Sequence, residues 1–256
     1  MKYPRPYAII EVMNTWLTKD RSETDSNRMP SRVTSSGIVV TNPALGINVY
    51  NNAISESLCD FIINTLEDNL NGQTKYTWQG ARVTEADDVL EEARKCLDFK
   101  ISSQNLGTRD NDNAKLYEMH ELAFRSIQPN VDDYGRYWGV GVNFFEAFNF
   151  VKYDGAGTHF KVHADHGPAY VTTISVVAYV NDDYEGGELY FPRFNLTLKP
   201  KKGDVMVFPS TYIYEHASND MISGTKYAIV IMTDYNDRGG LRNFNYRQED
   251  MNRLTY

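Results

Sequence analysis

Hydrophobic and polar positions change rhythm near the middle of the chain. Before the change, two stretches carry apolar residues at helical spacing. In the first, Ser55 reads as a helix N-cap, and Leu58, Phe61, Ile62, Leu66 and Leu70 follow along one face until Asn71-Gly72 stops it. In the second, residues 114–133, the stripe is Leu116, Met119, Ala123, Ile127 and Val131, with Pro129 near its predicted end. Residues 47–50 read as a short strand ahead of the first helix. After Trp138 the period falls towards two, in the runs VGVNFF, AFNFVKY, VTTISVVAYV, ELYF, LTL, DVMVF and YAIVIMTDY, each bounded by Gly, Asp, Asn or Pro. Such a series of short strands predicts a mainly β protein with flanking helices, a sandwich or jelly roll, and not alternating βαβ units.

Polar stretches punctuate this plan. Residues 18–36 lack hydrophobic periodicity and read as a loop or tether after an N-terminal strand, and the segment after Asn236 reads as a polar tail. The chain is therefore expected to divide into an N-terminal strand and tether (1–40), the main body (41–236) and a C-terminal tail (237–256). Residues 71–86 and 102–113 are polar and long enough to act as lids.

The 256 residues are 41% hydrophobic and 23% charged, a globular composition for a chain long enough to bury a core without staples. Thirty-four acidic against 26 basic residues give a formal charge of −8, which disfavours binding to nucleic acid, whose phosphates need Lys and Arg. A charged peptide substrate is expected to be neutral to basic. Cys59 and Cys96 are too few and too far apart for a disulfide framework or a cysteine metal site and read as buried thiols. No apolar run is long enough for a membrane span and no signal-peptide pattern opens the chain, so a cytoplasmic location is expected.

Three of the five histidines fall within HFKVHADH. Residues two apart on a strand share a side, so His163 and Asp165 can converge on one metal ion, whereas His159 lies roughly 13 Å away along an extended chain and His166 has the opposite parity. His216 is the remaining histidine besides His120, which sits in the second helix. Two imidazoles and one carboxylate on one face of a metal suit non-haem Fe(II) that must also hold a co-substrate and O₂. An HxD pair alone equally describes two surface residues at a strand end. Lys226, opening the apolar strand YAIVIM, adds a cation that is costly to bury without an anion, and it either reaches the sheet rim or meets a carboxylate.

These segments together resemble a known family. YDGAGTHFKVHAD is similar to the Y-x-x-x-G-x-x-aromatic-x-x-H-x-D element of prolyl hydroxylases in the 2-oxoglutarate and Fe(II)-dependent oxygenase superfamily. YVNDDYEGGELYFP resembles the Tyr-Leu-Asn strand and acidic double-glycine turn, and KKGDVMVFPS, His216 and GTKYA follow in the family's order. GINVYNNAISESLCDFII also resembles the strand and helix that open prolyl 4-hydroxylase catalytic domains. The resemblance implies a double-stranded β-helix that couples oxidative decarboxylation of 2-oxoglutarate to hydroxylation of an unactivated C–H bond. It implies His163, Asp165 and His216 as iron ligands, Lys226 as partner of the distal carboxylate of 2-oxoglutarate, and Tyr153 as a hydrogen-bond donor to that carboxylate. Fe(II), 2-oxoglutarate and O₂ are then required, with ascorbate as an optional cofactor. Gly186 and Gly187 read as backbone devices and Asp204 as a turn former.

The departures bear on the substrate. The stretch HGPAYVTTISVVA has no Arg or Lys where many prolyl hydroxylases place a substrate-binding arginine, Thr172 falling near that position; Phe160 replaces a tyrosine, and Met232 stands where a tryptophan is frequent. A prolyl residue in a peptide or protein is the expected target, with another residue or a free amino acid as the alternative. A non-catalytic jelly-roll binding module would explain the strands but not the ordered set His163, Asp165, His216 and Lys226. His159 and His166 are placed at the mouth of the metal site, in contact with substrate or simply on the surface. His120 reads as a packing or solvated residue.

Overall fold

In the computed structural model the described residues are 29–83, 89–101, 106–167 and 171–235. The expected N-terminal strand and C-terminal tail lie outside them. The chain runs through β1 (Met29–Val33), β2 (Val39–Ala44), β3 (Ile47–Tyr50), α1 (Glu56–Asn69), β4 (Gln79–Gly80), β5 (Arg94–Lys95), β6 (Leu97–Ile101) and α2 (Ala114–Trp138). It continues through β7 (Phe144–Phe145), β8 (Phe148–Asp154), β9 (His159–His163), β10 (Ile174–Tyr179), β11 (Glu185–Gly186), β12 (Leu189–Phe191), β13 (Leu196–Leu198), β14 (Val205–Pro209), β15 (His216–Ser218), β16 (Met221–Ser223) and β17 (Thr225–Asp234).

Both predicted helices form where their apolar stripes require. Ser55 caps α1 by accepting the Leu58 backbone N–H, and Cys59, Ile62 and Leu66 face inward. α2 runs five residues past its expected end and carries Pro129 inside it. A proline there removes one backbone hydrogen bond. The continuation beyond it buries Val131 and Tyr134, whose hydroxyl donates to Gly46 O at 2.8 Å, and lets Trp138 Nε1 reach Asn48 Oδ1 at 3.2 Å. Gly139, at φ 70°, ends the helix in the left-handed conformation open to glycine.

All seven runs read as strands are strands, and they build two antiparallel sheets. The larger has the order β1-β2-β3-β14-β10-β17-β8-β6-β4, with β7 beside β17, and the smaller β13-β12-β15-β9-β5. This is the double-stranded β-helix. Within the large sheet, alternation sorts side chains into two layers. Phe148, Phe150, Ile174, Val176, Ala178, Val207, Ile229 and Ile231 pack with the inner faces of α1 and α2 in the main core, while Val177, Tyr179, Met206, Phe208 and Ala228 turn towards the small sheet.

The polar segment 18–36 is not wholly a tether, since Met29–Val33 pairs with β2 at the sheet edge. Arg32 on that strand forms a two-pronged ion pair with Asp133 of α2 and lies over the Tyr137 ring at 4.4 Å. Those partners are about a hundred positions away, so no local pattern announces the strand. Asp204 forms the expected turn, accepting the backbone N–H groups of Lys201 and Asn52. Cys59 and Cys96 are buried free thiols. Among the described residues no helix is long and apolar enough to cross a membrane.

Candidate active site

Between the two sheets lies a cavity of about 490 Å³. Its floor comes from three neighbouring strands whose register aligns their inward residues into rows. Tyr153 of β8 stands opposite Lys226 of β17, Val151 opposite Ala228, and Asn149 opposite Val230; on the other flank, Tyr179, Val177 and Ser175 of β10 face Ala228, Val230 and Met232. Lys226 and Tyr153 therefore mark one end, Met232 and Ser175 the other.

The metal-capable group sits at the second end and is contributed by the small sheet. His163 closes β9, His216 opens β15, and the two strands pair with these histidines opposite one another. Asp165 lies in the bend just after β9. One donor atom from each of the three lies within 4.8 Å of the others. His163 Nε2 is 3.5 Å from Asp165 Oδ1, and His216 Nε2 is 3.8 Å from Asp165 Oδ2. The residues that the sequence pairs are thus brought together, Asp165 by the bend after β9 and not by strand parity.

The hydrogen bonds behind the imidazoles assign their tautomers. His163 Nδ1 is 2.8 Å from Lys161 O and His216 Nδ1 is 3.1 Å from Tyr214 O. A carbonyl can only accept, so each Nδ1 carries the proton and each Nε2 lone pair points at the shared centre, the arrangement metal-binding histidines use. Burial pushes His216 down to about 4, against the pull of Asp165, which keeps the ring neutral. Burial alone would raise Asp165, but the neighbouring His216 and His163 and the Ser175 hydroxyl hold it well below the usual carboxylate range. Two imidazole nitrogens and a carboxylate facing one centre are donors that a divalent cation of this class takes, so this set fits Fe(II).

At the opposite end Lys226 is buried, donating to Gly187 O at 2.7 Å and to Ser218 Oγ at 2.9 Å. Desolvation pulls its pKa down to about 7. Three tyrosines surround the ammonium group, which lies 4.8 Å from the Tyr153 ring, 5.4 Å from Tyr179 and 5.9 Å from Tyr184. The Tyr179 and Tyr184 hydroxyls are buried with no hydrogen-bond partner among the described residues, an unfavourable state that a carboxylate accepting from them would relieve. Gly187, at φ 63°, is what allows the close approach: a Cβ there would lie 2.5 Å from Met221 Sδ and 3.3 Å from Lys226 Cδ. Gly186, at φ 75°, has Asp220 O 2.5 Å from its virtual Cβ, so both glycines are the backbone devices expected of them.

Several residues went unread in the sequence. Arg94 lines the cavity, places its guanidinium 4.8 Å over Phe160, and pairs with Asp98 at 3.3 Å; the Phe160 ring in turn lies flat on His163 at 3.5 Å and 14°. The loss of a tyrosine at 160 thus coincides with an Arg94–Phe160–His163 stack. Tyr179 and Ser175 belong to a strand that reads only as apolar, although their shared parity was visible.

The other histidines separate. His166 lines the cavity, its Nδ1 2.7 Å from Thr172 O. His159 is neither at the mouth nor on the surface: it is buried, with Nδ1 2.9 Å from Gly157 O and Nε2 3.3 Å from Glu92 O, tying β9 to the turn before β5. His120 packs edge-on against Phe148 at 4.8 Å, a packing role.

Residues 148–233, the segment that holds this site, match the family model of the 2OG-Fe(II) oxygenase superfamily. Among solved structures the chain is similar to a prolyl hydroxylase from Trichoplax adhaerens in complex with a hypoxia inducible factor oxygen degradation domain peptide fragment. The TM-score is 0.60 at 15% identity, covering 79% of this chain and 88% of that one. A viral collagen prolyl hydroxylase from Paramecium Bursaria Chlorella virus-1, in its 2OG complex, gives 0.52 at 18% identity, with 73% and 95% covered. A Pseudomonas putida prolyl-4-hydroxylase gives 0.51 at 19%, with 73% and 92% covered. At these identities the likeness speaks for the jelly-roll fold. No curated protein sequence matches the chain.

Proposed function

We propose that this protein is a 2-oxoglutarate- and Fe(II)-dependent dioxygenase that hydroxylates an unactivated C–H bond, with a prolyl residue in a peptide or protein as its target. The observation that carries the reading is the opposition, across one cavity, of the His163, Asp165 and His216 donor set to the buried cation of Lys226. A dicarboxylic co-substrate must reach from a metal to a fixed positive charge, and these are the two ends it needs. Bound Fe(II) with 2-oxoglutarate and O₂ would supply the oxidising chemistry; the chain holds and shields the reactants.

In this reading His163 and His216 offer Nε2 and Asp165 a carboxylate oxygen to the metal. Lys226 receives the distal carboxylate of 2-oxoglutarate, with Tyr153, Tyr179 and Tyr184 forming the dry wall around the ion pair. Val151, Val177, Ala228 and Val230 exclude water along the length of the co-substrate. Proline as the target is supported by the likeness to prolyl hydroxylases, one of them solved with a peptide. Thr172 in place of an arginine, and Met232 on the cavity wall, favour a second reading in which another residue type is hydroxylated by the same machinery.

The test is incubation of iron-loaded protein with 2-oxoglutarate, O₂ and a panel of proline-containing peptides and free amino acids, following succinate and the mass of each candidate. One added oxygen on a peptidyl proline is the expected outcome. Addition to a lysyl or asparaginyl residue, or to the free amino acid alone, overturns the prolyl assignment. Absence of iron binding and of 2-oxoglutarate turnover overturns the oxygenase assignment.

A further inference from the structure

Ser175 on β10 and Ser210 just past the end of β14 are both buried at the metal end of the cavity, 0% and 1% exposed. A hydroxyl sealed away from water is unfavourable unless its hydrogen bonds are made, so two together call for an account of their protons. Ser175 Oγ donates to Asp165 Oδ2, and it lies 2.8 Å from Ser210 Oγ. A carboxylate oxygen accepts and the Ser175 hydroxyl points at it, so the single Ser175 proton is committed to Asp165. Met232 Sδ, 3.7 Å from the same hydroxyl, is a far weaker acceptor and cannot compete. Ser210 must therefore supply its own proton to Ser175. The result is a one-way relay, Ser210 to Ser175 to Asp165 Oδ2, with its direction set by the charge at its end.

The relay is anchored by the backbone. The Ser210 N–H donates to Thr173 O at 3.1 Å, and the Ser210 carbonyl accepts the His166 N–H at 2.9 Å, so the same residue fastens the bend that carries Asp165 to the ends of β10 and β14. Asp165 is in a bend and not on a strand, and among the described residues its side chain is held by the Ser175 hydroxyl. The carboxylate is thus oriented by hydroxyls from the large sheet, while both imidazoles are oriented by carbonyls two residues before them in their own chain segment.

We propose that Ser175, backed by Ser210, is a positioning residue that reserves Asp165 Oδ2 and leaves Oδ1 as the oxygen available to a metal, making Asp165 a one-oxygen ligand. This rests on the reading of His163, Asp165 and His216 as the metal site. A carboxylate confined to one bond leaves the neighbouring coordination position to the other reactants; a carboxylate free to swing can claim it. Loss of a hydrogen-bonding partner behind a metal ligand costs about 10- to 100-fold in metal affinity, and that is the size of effect expected for Ser175.

The experiment is an anaerobic titration of the full chain with Fe(II), and separately with Co(II), whose visible absorption reports coordination. It compares wild type, Ser175→Ala, Ser210→Ala, the double variant and Asp165→Ala. Ser175→Ala is expected to weaken both metals about 10- to 100-fold and to alter the Co(II) spectrum. Ser210→Ala is expected to weaken them less, and to add nothing once Ser175 is already alanine, because the relay is then cut upstream of the carboxylate. Melting of the metal-free variants shows whether each is folded, and Ser→Ala at these sites removes only one oxygen. If wild type binds and Asp165→Ala does not, yet Ser175→Ala keeps wild-type affinity and spectrum, the relay is wrong and the metal site stands. Independent, additive effects of the two serines also overturn the relay. If wild type itself binds neither metal, or Asp165→Ala binds as wild type does, the underlying reading of the site fails instead.

Discussion

The two ends of the cavity are prepared differently. At the metal end each donor already has a partner behind it: carbonyls for the two Nδ1–H groups and a hydroxyl for Asp165. At the Lys226 end the ammonium borrows a backbone carbonyl and a serine, and two tyrosine hydroxyls are buried without a partner among the described residues. The first end is preorganised for its ligand, so little need change on binding. The second holds a cation and hydroxyls in an unfavourable state that an anion relieves, so part of the affinity for that anion is already stored in the fold.

Removing a metal ligand should have the largest effect. Asp165→Ala or His216→Ala is expected to abolish turnover and to lower Fe(II) affinity by more than the roughly 100-fold seen for supporting residues. Metal content and succinate release measure this, and a His216→Ala protein with wild-type iron content would place the metal elsewhere. At the opposite end, Lys226→Ala is expected to leave Fe(II) binding within a few-fold while weakening 2-oxoglutarate. Breaking one side of a buried ion pair costs about 3–5 kcal/mol, roughly two to three and a half decades in affinity. An unchanged 2-oxoglutarate dependence would break the comparison of the two ends.

The same lysine makes co-substrate binding depend on pH. In the free protein burial holds Lys226 near 7, and a carboxylate beside it raises that value on binding. Affinity is then full below about pH 7 and falls as pH rises through the free-state value, by up to about tenfold per unit, until the bound-state value is reached. Anaerobic titrations between about pH 6 and 9 should show this fall, and Lys226→Ala should flatten it.

Tyr179→Phe sharpens the contrast further, because it removes a hydroxyl that has no partner among the described residues. Stability of the metal-free protein should be unchanged or slightly higher, while 2-oxoglutarate binding loses about 0.5–1.5 kcal/mol. Thermal melting and a binding titration on one sample separate the two effects. The smallest effect is expected from His120→Ala, which loses an aromatic contact worth about 0.5–1.5 kcal/mol of stability and leaves turnover unchanged.

The site and fold were legible to different depths. Strands β8, β10, β14 and β17 carry apolar runs buried on both faces, and α1 and α2 an apolar stripe, so burial itself writes them into the sequence. The pairing of His163 with Asp165 is legible from their two-residue spacing, although Asp165 lies in the bend after β9 and not on the strand that parity assumes, and Lys226 draws notice as a charge in an apolar run. Other features depend on distant partners. β1 is held by Arg32 reaching Asp133, and the continuation of α2 past Pro129 by Tyr134 and Trp138 meeting the β2–β3 turn and β3. Arg94 sits in a two-residue strand with no period to read. Ser175 looks like one polar interruption in VTTISVVAYV, and only the folded bend at Asp165 gives its hydroxyl a purpose.

The Phe160 ring lying flat on His163 has a magnetic consequence. Protons held over the face of an aromatic ring are shielded by its circulating electrons, so the carbon-bound protons of the His163 imidazole should resonate upfield of ordinary histidine values. In metal-free protein Phe160→Leu should bring the His163 signals back towards ordinary values, which tells them from those of His216 by nuclear magnetic resonance. The stack gives each of the paired imidazoles its own address in a spectrum, so that titration with a diamagnetic ion such as Zn(II) can be followed at one histidine at a time.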